Sequence, residues 1–131
     1  MSNAATELLK ELRLDHRNMA ILLNLLQDEA DRIEHDEDID FELAHDIMRY
    51  MTVYSDAVHH PREDLIYAGL LKLEPKLAAG LEEVESQHKE LAELGSRLRS
   101  DIEAILSGTA VTRDRIVADT RNYLHRLRQH M

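Results

Sequence analysis

The chain has no cysteine and no tryptophan, and among its 131 residues only 4 are glycine and 2 proline, with 4% aromatic residues. Without cysteine it can form no disulfide, thiolate zinc site or iron–sulfur cluster, and it has no cysteine nucleophile. So few glycines and prolines cannot supply the turns of a β-sandwich or barrel. The shortage of aromatic residues also disfavours a stacking platform for single-stranded nucleic acid.

Charge and the lack of long apolar runs exclude further classes. The formal net charge is -10, which repels nucleic-acid phosphates and anionic membrane surfaces. No stretch reaches the roughly 18 uninterrupted apolar residues of a membrane helix, and the polar start of the chain is unlike a signal peptide. We therefore expect a cytoplasmic protein with no nucleic-acid partner and no membrane partner.

The residues that are abundant are typical of amphipathic helices, since 32% are charged and 44% hydrophobic. Apolar residues recur at spacings of three and four in four segments, at about 5–34, 41–73, 76–107 and 112–131. Asp38 or Asp40 can cap the second helix, and Thr109 or Thr112 the fourth. The length and the short loops predict a single all-α domain over residues 1–131, an up-down-up-down four-helix bundle.

Pro61 lies inside the second predicted helix. Proline removes one backbone donor and disfavours helical geometry at the residue before it, which here is His60. We therefore expect a kink at this point, or a division into two helices.

Histidine is the residue in excess, with 8 in the chain. His16 and His88 fill gaps in the apolar stripes of the first and third helices, and His130 continues the stripe of the fourth. His59 is less clearly placed because Pro61 disturbs the phase, but Glu63 follows it at i+4 and points the same way. Counting from the predicted loops places these four histidines, one per helix, in one layer of the core.

A single inward histidine is more often an ordinary core residue than a metal ligand. Four in one layer, beside a carboxylate, would leave crowded donors and acceptors without partners unless a metal were present. Imidazole and carboxylate ligands without a thiol suit iron, manganese or zinc. The sequence therefore predicts a metal site at His16, His59, Glu63, His88 and His130, while the spacing does not choose between one metal ion and two.

The other four histidines are predicted to be solvated. His35 and His45 lie near the first loop, and His125 lies on a polar face of the last helix. His60 points about 100° away from His59 on an α-helix. The register around Pro61 could nevertheless exchange His60 for His59 as the inward residue.

Four pieces of the chain carry a resemblance to a known family: Asp15-His16, the run from His59 to Asp64 (HHPRED), Gln87-His88, and Arg128-Gln129-His130-Met131. Together they resemble the hemerythrin-like HHE cation-binding domain, bacterial type, over essentially the whole chain. The resemblance implies a hemerythrin-like four-helix bundle with a non-haem di-iron centre. It also implies terminal ligands at His16, His59, His88 and His130, with Glu63 as a bridge between the irons.

Two features distinguish the chain from hemerythrins proper. Position 92 is Ala where they carry a second third-helix histidine, a difference that many bacterial members share. The family's last ligand is an acid four or five positions after the fourth-helix histidine, which would lie beyond Met131. With that acid we expect two iron ions per chain, and without it a mononuclear or partly occupied site.

The resemblance implies a non-haem iron protein that binds or senses O2, NO or peroxide, or acts in iron or oxidative-nitrosative stress. Its partner would be a diatomic or other small ligand at the metal. One alternative is a metal-free or mononuclear structural bundle, and another is a di-iron oxidase or repair enzyme. A binding role is favoured over an enzyme, because the sequence shows no nucleophile, phosphate loop or dedicated substrate pocket. Oligomeric state is not predicted, since core and dimer stripes look alike.

Overall fold

The computed structural model describes residues 3–131, with side chains described at 6–76 and 82–131. Its elements are α1 (Asn3–Glu34), α2 (Phe41–Arg49), a π-helical segment (Tyr50–His59), α3 (His60–Leu73), a 3₁₀ turn (Pro75–Leu77), α4 (Ala78–Leu106) and α5 (Arg113–His130). Because α2, the π segment and α3 follow one another without a break, the chain forms four long helical stretches, and residues 3–131 contain no strand. The predicted all-α four-helix bundle is confirmed.

Short capped connections turn each helix back along its neighbour. Asp40 caps α2 by accepting the Leu43 N–H at 2.9 Å. Thr112 caps α5 by accepting the Arg115 N–H at 3.2 Å. Gly108 follows α4 with a φ of 86°, a conformation that glycine adopts without the steric cost of a Cβ. Of the two candidates for each predicted cap, the structure uses Asp40 and Thr112.

The apolar stripes of the four helical stretches meet in one core. Among the described residues, its most deeply buried hydrophobic side chains, each no more than 2% exposed, are Met19, Leu23, Leu26, Ala30, Ile47, Met48, Met51, Leu91, Leu98, Ile102, Tyr123 and Leu127. At one end this core meets the histidine layer through Ser55, whose hydroxyl lies 3.8 Å from Met19 Sδ and 3.5 Å from His60 Nε2. The candidate site therefore rests directly on packed apolar side chains.

The second helix is neither divided at Pro61 nor continued as a regular α-helix. For the ten residues Tyr50–His59 it is a π-helix, and the His60 N–H donates to the carbonyl of Ser55, five residues back. Proline has no N–H, and its ring crowds the carbonyl four residues before it in an α-helix. A π segment ahead of Pro61 widens the turns, and such segments occur often at functional sites.

Within residues 3–131, no helix is both long enough and apolar enough to cross a membrane.

Candidate metal centre

Glu63, on the first turns of α3, lies at the centre of the histidine layer. Its Oε1 is 2.9 Å from His59 Nε2, 3.6 Å from His88 Nε2 and 3.5 Å from His130 Nε2. Its Oε2 is 3.8 Å from His16 Nε2. The structure thus brings together all five residues that the sequence singled out, with at least one from each of the four helical stretches.

The His59 ring is oriented by Asp15. The His59 side chain is fully buried, and its Nδ1 donates to Asp15 Oδ2 at 2.8 Å. The other carboxylate oxygen of Asp15 accepts the Tyr54 hydroxyl at 2.8 Å. With its proton on Nδ1, a neutral His59 ring directs the lone pair of Nε2 toward Glu63. A histidine that donates one nitrogen to a carboxylate and offers the other to a cation is the common arrangement at metal sites in proteins.

The rings of His88 and His130 also have a polar neighbour at Nδ1, and they face each other through Nε2. His88 Nδ1 lies 2.9 Å from Asp64 Oδ1, and His130 Nδ1 lies 2.9 Å from Gln87 Oε1. Their Nε2 atoms are only 2.9 Å apart. If both rings carry their proton on Nδ1, two lone pairs meet at this distance and repel each other. A proton on one Nε2, or a metal ion bound by both, removes this repulsion.

The electrostatics of the cluster favour positive charge beside Glu63. Burial by itself would raise the pKa of Glu63, but its interactions with the imidazoles of His130, His16, His59 and His88 outweigh burial and hold that pKa far below its ordinary range. Burial lowers the pKa of His59, yet the neighbouring Glu63 and Asp15 raise it overall. The centre therefore holds an ionised carboxylate surrounded by imidazole rings, and this environment attracts cations.

Several potential ligand atoms in the cluster are not engaged in regular hydrogen bonds. Among the described side chains, His16 Nε2, His59 Nε2 and Glu63 Oε1 are buried and make no hydrogen bond of good geometry, since their nearest polar neighbours are one another. Buried polar atoms are rarely left in that state. Two groups of potential ligand atoms, each within 4.8 Å, share Glu63: His16, His59 and Glu63 form one, and His60, Glu63, His88 and His130 form the other. These nitrogen and oxygen donors fit a metal cation.

The prediction that His60 is solvated is wrong. Its side chain is 2% exposed, and its ring stacks on His88 with centroids 4.1 Å apart. The 100° rotation between neighbours holds for an α-helix, whereas the π segment has more residues per turn. His59 and His60 therefore both face the interior. His35 and His125 are exposed as predicted, and His45 pairs with Glu103 at 3.0 Å, outside the cluster.

Sequence reasoning missed Asp15 as a supporting residue. Asp15 lies three residues after Leu12 and four before Met19, so it occupies the apolar stripe as well as His16 does. The structure buries Asp15 to 5% exposure, whereas the His16 side chain is 37% exposed at the edge of the site. A carboxylate on an apolar stripe next to a candidate ligand was the available signal. Gln87 and Asp64, each adjacent in sequence to a site residue, gave no comparable signal.

A family comparison agrees with this chemistry. The family model described as the hemerythrin HHE cation-binding domain matches residues 7–131. The chain belongs to the hemerythrin family. Searches among curated proteins and among solved structures gave no match. The resemblance seen in the sequence is confirmed, and the five convergent residues lie within the matched part of this hemerythrin domain.

Asp15→Asn tests how far the hemerythrin centre depends on its supporting hydrogen bonds. Asp15 accepts from His59 and Tyr54 with different oxygens, and asparagine replaces one of those oxygens with an NH2 donor, so one of the two hydrogen bonds is lost or distorted. We expect metal affinity to fall by about 10- to 100-fold, measured by competition with a chelator. Asp28→Asn, on an exposed position of α1, is the matched control. Equal affinities for the two variants would contradict the supporting role of Asp15.

Proposed function

We propose that this hemerythrin domain is a non-haem iron protein that holds two metal ions on either side of Glu63 and binds O2, NO or peroxide there. The ligands would be His16, His59, Glu63, His88 and His130. One observation carries the proposal: four imidazole nitrogens from four helical stretches converge on one partly buried carboxylate. A zinc or manganese ion would also suit these donors.

The protein orients the ligand atoms before a metal ion binds. Asp15 and Gln87 fix the rings of His59 and His130 through their Nδ1 atoms. Glu63 stays ionised, with Oε1 near His59, His88 and His130 and Oε2 near His16, so a small rotation of the carboxylate would offer one oxygen to each ion. Bound iron would supply open coordination positions and redox activity toward small oxygen or nitrogen species.

The space beside the cluster suits a small ligand. A cavity of about 70 Å³ is lined by Gln87, Leu91 and His130, together with Glu90, Arg126 and Gln129. Of the cluster, this cavity is lined by His130 but not by Glu63 or the other site histidines. It therefore offers a small molecule an approach to one edge of the cluster, and the partly exposed His16 side chain offers a second approach.

A metal-free bundle accounts less well for the cluster. Without a cation, His59 Nε2 and Glu63 Oε1 have chiefly each other, 2.9 Å apart, and neither makes a hydrogen bond of good geometry among the described side chains. An unsatisfied buried polar group costs about 1–3 kcal/mol. A proton on His59, whose pKa the neighbouring carboxylates raise, would relieve part of this cost, whereas a metal ion would serve all the converging nitrogens at once.

The direct test is anaerobic titration of the metal-free protein with Fe²⁺, followed by gel filtration and elemental analysis. We expect two iron ions per chain, and a change in visible absorption on adding O2 or NO. His88→Ala should retain about one, while the control His125→Ala, at an exposed position of α5, should retain two. Failure of the wild-type protein to retain iron would refute the proposal, as would full retention by His88→Ala.

The same titration separates a carrier from an enzyme. A carrier or sensor reacts with about one equivalent of O2, NO or peroxide per site and then stops. Continued consumption of peroxide or NO would instead favour the oxidase or repair alternative. The reaction is followed by the concentration of the small molecule over several equivalents.

A further inference from the structure

His60 lies in the cluster but is not one of the five ligands that the sequence predicts. It directly follows His59 on the same helical stretch, yet both side chains are buried, at 0% and 2% exposure. The two rings lie in different halves of the cluster. The His59 ring lies beside His16, with centroids 4.8 Å apart, whereas the His60 ring lies beside His88 at 4.1 Å and His130 at 5.3 Å.

The surroundings of the His60 ring resemble those of the predicted ligands. Its Nδ1 lies 3.3 Å from Asp56 Oδ1, as His59 Nδ1 lies near Asp15. Its Nε2 has a contact with Ser55 Oγ at 3.5 Å, at the outer limit of a hydrogen bond. Nδ1 makes no hydrogen bond among the described side chains and Nε2 makes only this weak one, so His60 has a ring nitrogen available to a cation.

The distances within this half fit a single ion. His60, Glu63, His88 and His130 each place one potential ligand atom within 4.8 Å of the others. Ligand atoms about 2.0–2.2 Å from one metal ion lie no more than roughly 4.4 Å apart, so only small movements are needed. Ala92, one turn after His88 on α4, has no ligand atom to contribute in this half.

We infer that His60 is a ligand of the metal ion held by His88, His130 and Glu63, so that the two neighbours His59 and His60 serve different ions. The π segment favours this arrangement, because it turns adjacent residues through a smaller angle than the 100° of an α-helix and so helps two neighbours to face one cluster. The centre is then asymmetric. One half has three imidazoles and the other has two, with Glu63 common to both. This inference rests on the proposed function, since it requires that the cluster binds metal.

The test uses Zn²⁺ as a diamagnetic probe and ¹⁵N NMR of the imidazole rings in the full chain. On loading with two equivalents, we expect a metal-induced shift of one ring nitrogen in His16, His59, His60, His88 and His130. No such shift is expected in His35, His45 or His125. A shift in the other four site histidines with none in His60 would overturn the inference and leave the proposed function intact. Absence of a shift in every histidine would overturn both.

A variant gives an independent readout. His60→Phe keeps an aromatic ring to stack on His88 but has no nitrogen, and its fold is checked by circular dichroism. We expect one of the two Zn²⁺ equivalents to bind at least tenfold more weakly, with the other unchanged. His125→Phe is the matched control and should bind both as the wild-type protein does. Wild-type affinity for both equivalents in His60→Phe would contradict the inference.

Discussion

Glu63→Gln should abolish tight binding of both metal ions, with affinity for each reduced more than about 100-fold. Loss of a supporting partner costs about 10- to 100-fold, and Glu63 is the one carboxylate common to both groups of ligand atoms. The amide has nearly the same shape but no negative charge, so it cannot balance two cations. Its oxygen and nitrogen can still pair with the surrounding imidazoles, so we expect the helical fold to be retained.

The measurement is metal content after anaerobic loading with Fe²⁺ and removal of free metal. Glu85→Gln, at an exposed position on α4, makes the same chemical change away from the cluster and should leave metal content unaltered. Retention of one tightly bound ion by Glu63→Gln would show that one half of the site does not need this carboxylate. That result would contradict the bridging role of Glu63.

Metal removal should strongly destabilise the domain. An ion that binds only the folded chain stabilises it by about 4 kcal/mol when free metal exceeds its Kd about 1,000-fold. For a domain of this size that corresponds to a rise of roughly 10 °C or more in the unfolding midpoint. We expect this difference between the Fe²⁺-loaded and chelator-treated proteins in thermal unfolding followed by circular dichroism.

Two controls connect that stabilisation to the cluster. The unfolding midpoint should continue to rise with free metal concentration after the site is saturated, because binding to the folded state alone has this dependence. Glu63→Gln should show almost no rise under the same conditions. An equal rise in that variant would mean that the stabilising metal binds elsewhere on this acidic chain.

Much of the fold could be predicted because the controlling signals are local. The four apolar stripes are read directly from sequence, and so are two candidates for each cap, Asp38 or Asp40 and Thr109 or Thr112. The stripes of α1, α2, α4 and α5 supply the buried core, whereas Leu65 and Leu70 on α3 are exposed. The convergence of His16, His59, His88 and His130 followed from counting residues along antiparallel helices. That count tolerates an error of one or two residues, because imidazole and glutamate side chains are long enough to absorb it.

The orientation of His60 could not be predicted in this way. It depends on a change from α to π hydrogen bonding over Tyr50–His59, and hydrophobic periodicity assumes one helical pitch throughout. Pro61 indicates that the helical backbone must change locally, but several backbone adjustments relieve the clash between the proline ring and the preceding turn. The supporting role of Asp15 was also obscured, because it and His16 fit the same stripe and only the fold shows which is more buried.

The central claim is that Glu63 lies between two metal ions held by histidines from all four helical stretches. Crystals of the iron-loaded protein, measured at the iron absorption edge, test it directly through anomalous scattering. We predict two peaks about 3.5–4 Å apart, one beside His16 and His59 and the other beside His88 and His130. A map with no peak next to Glu63, or with iron bound only to surface carboxylates, would contradict the account.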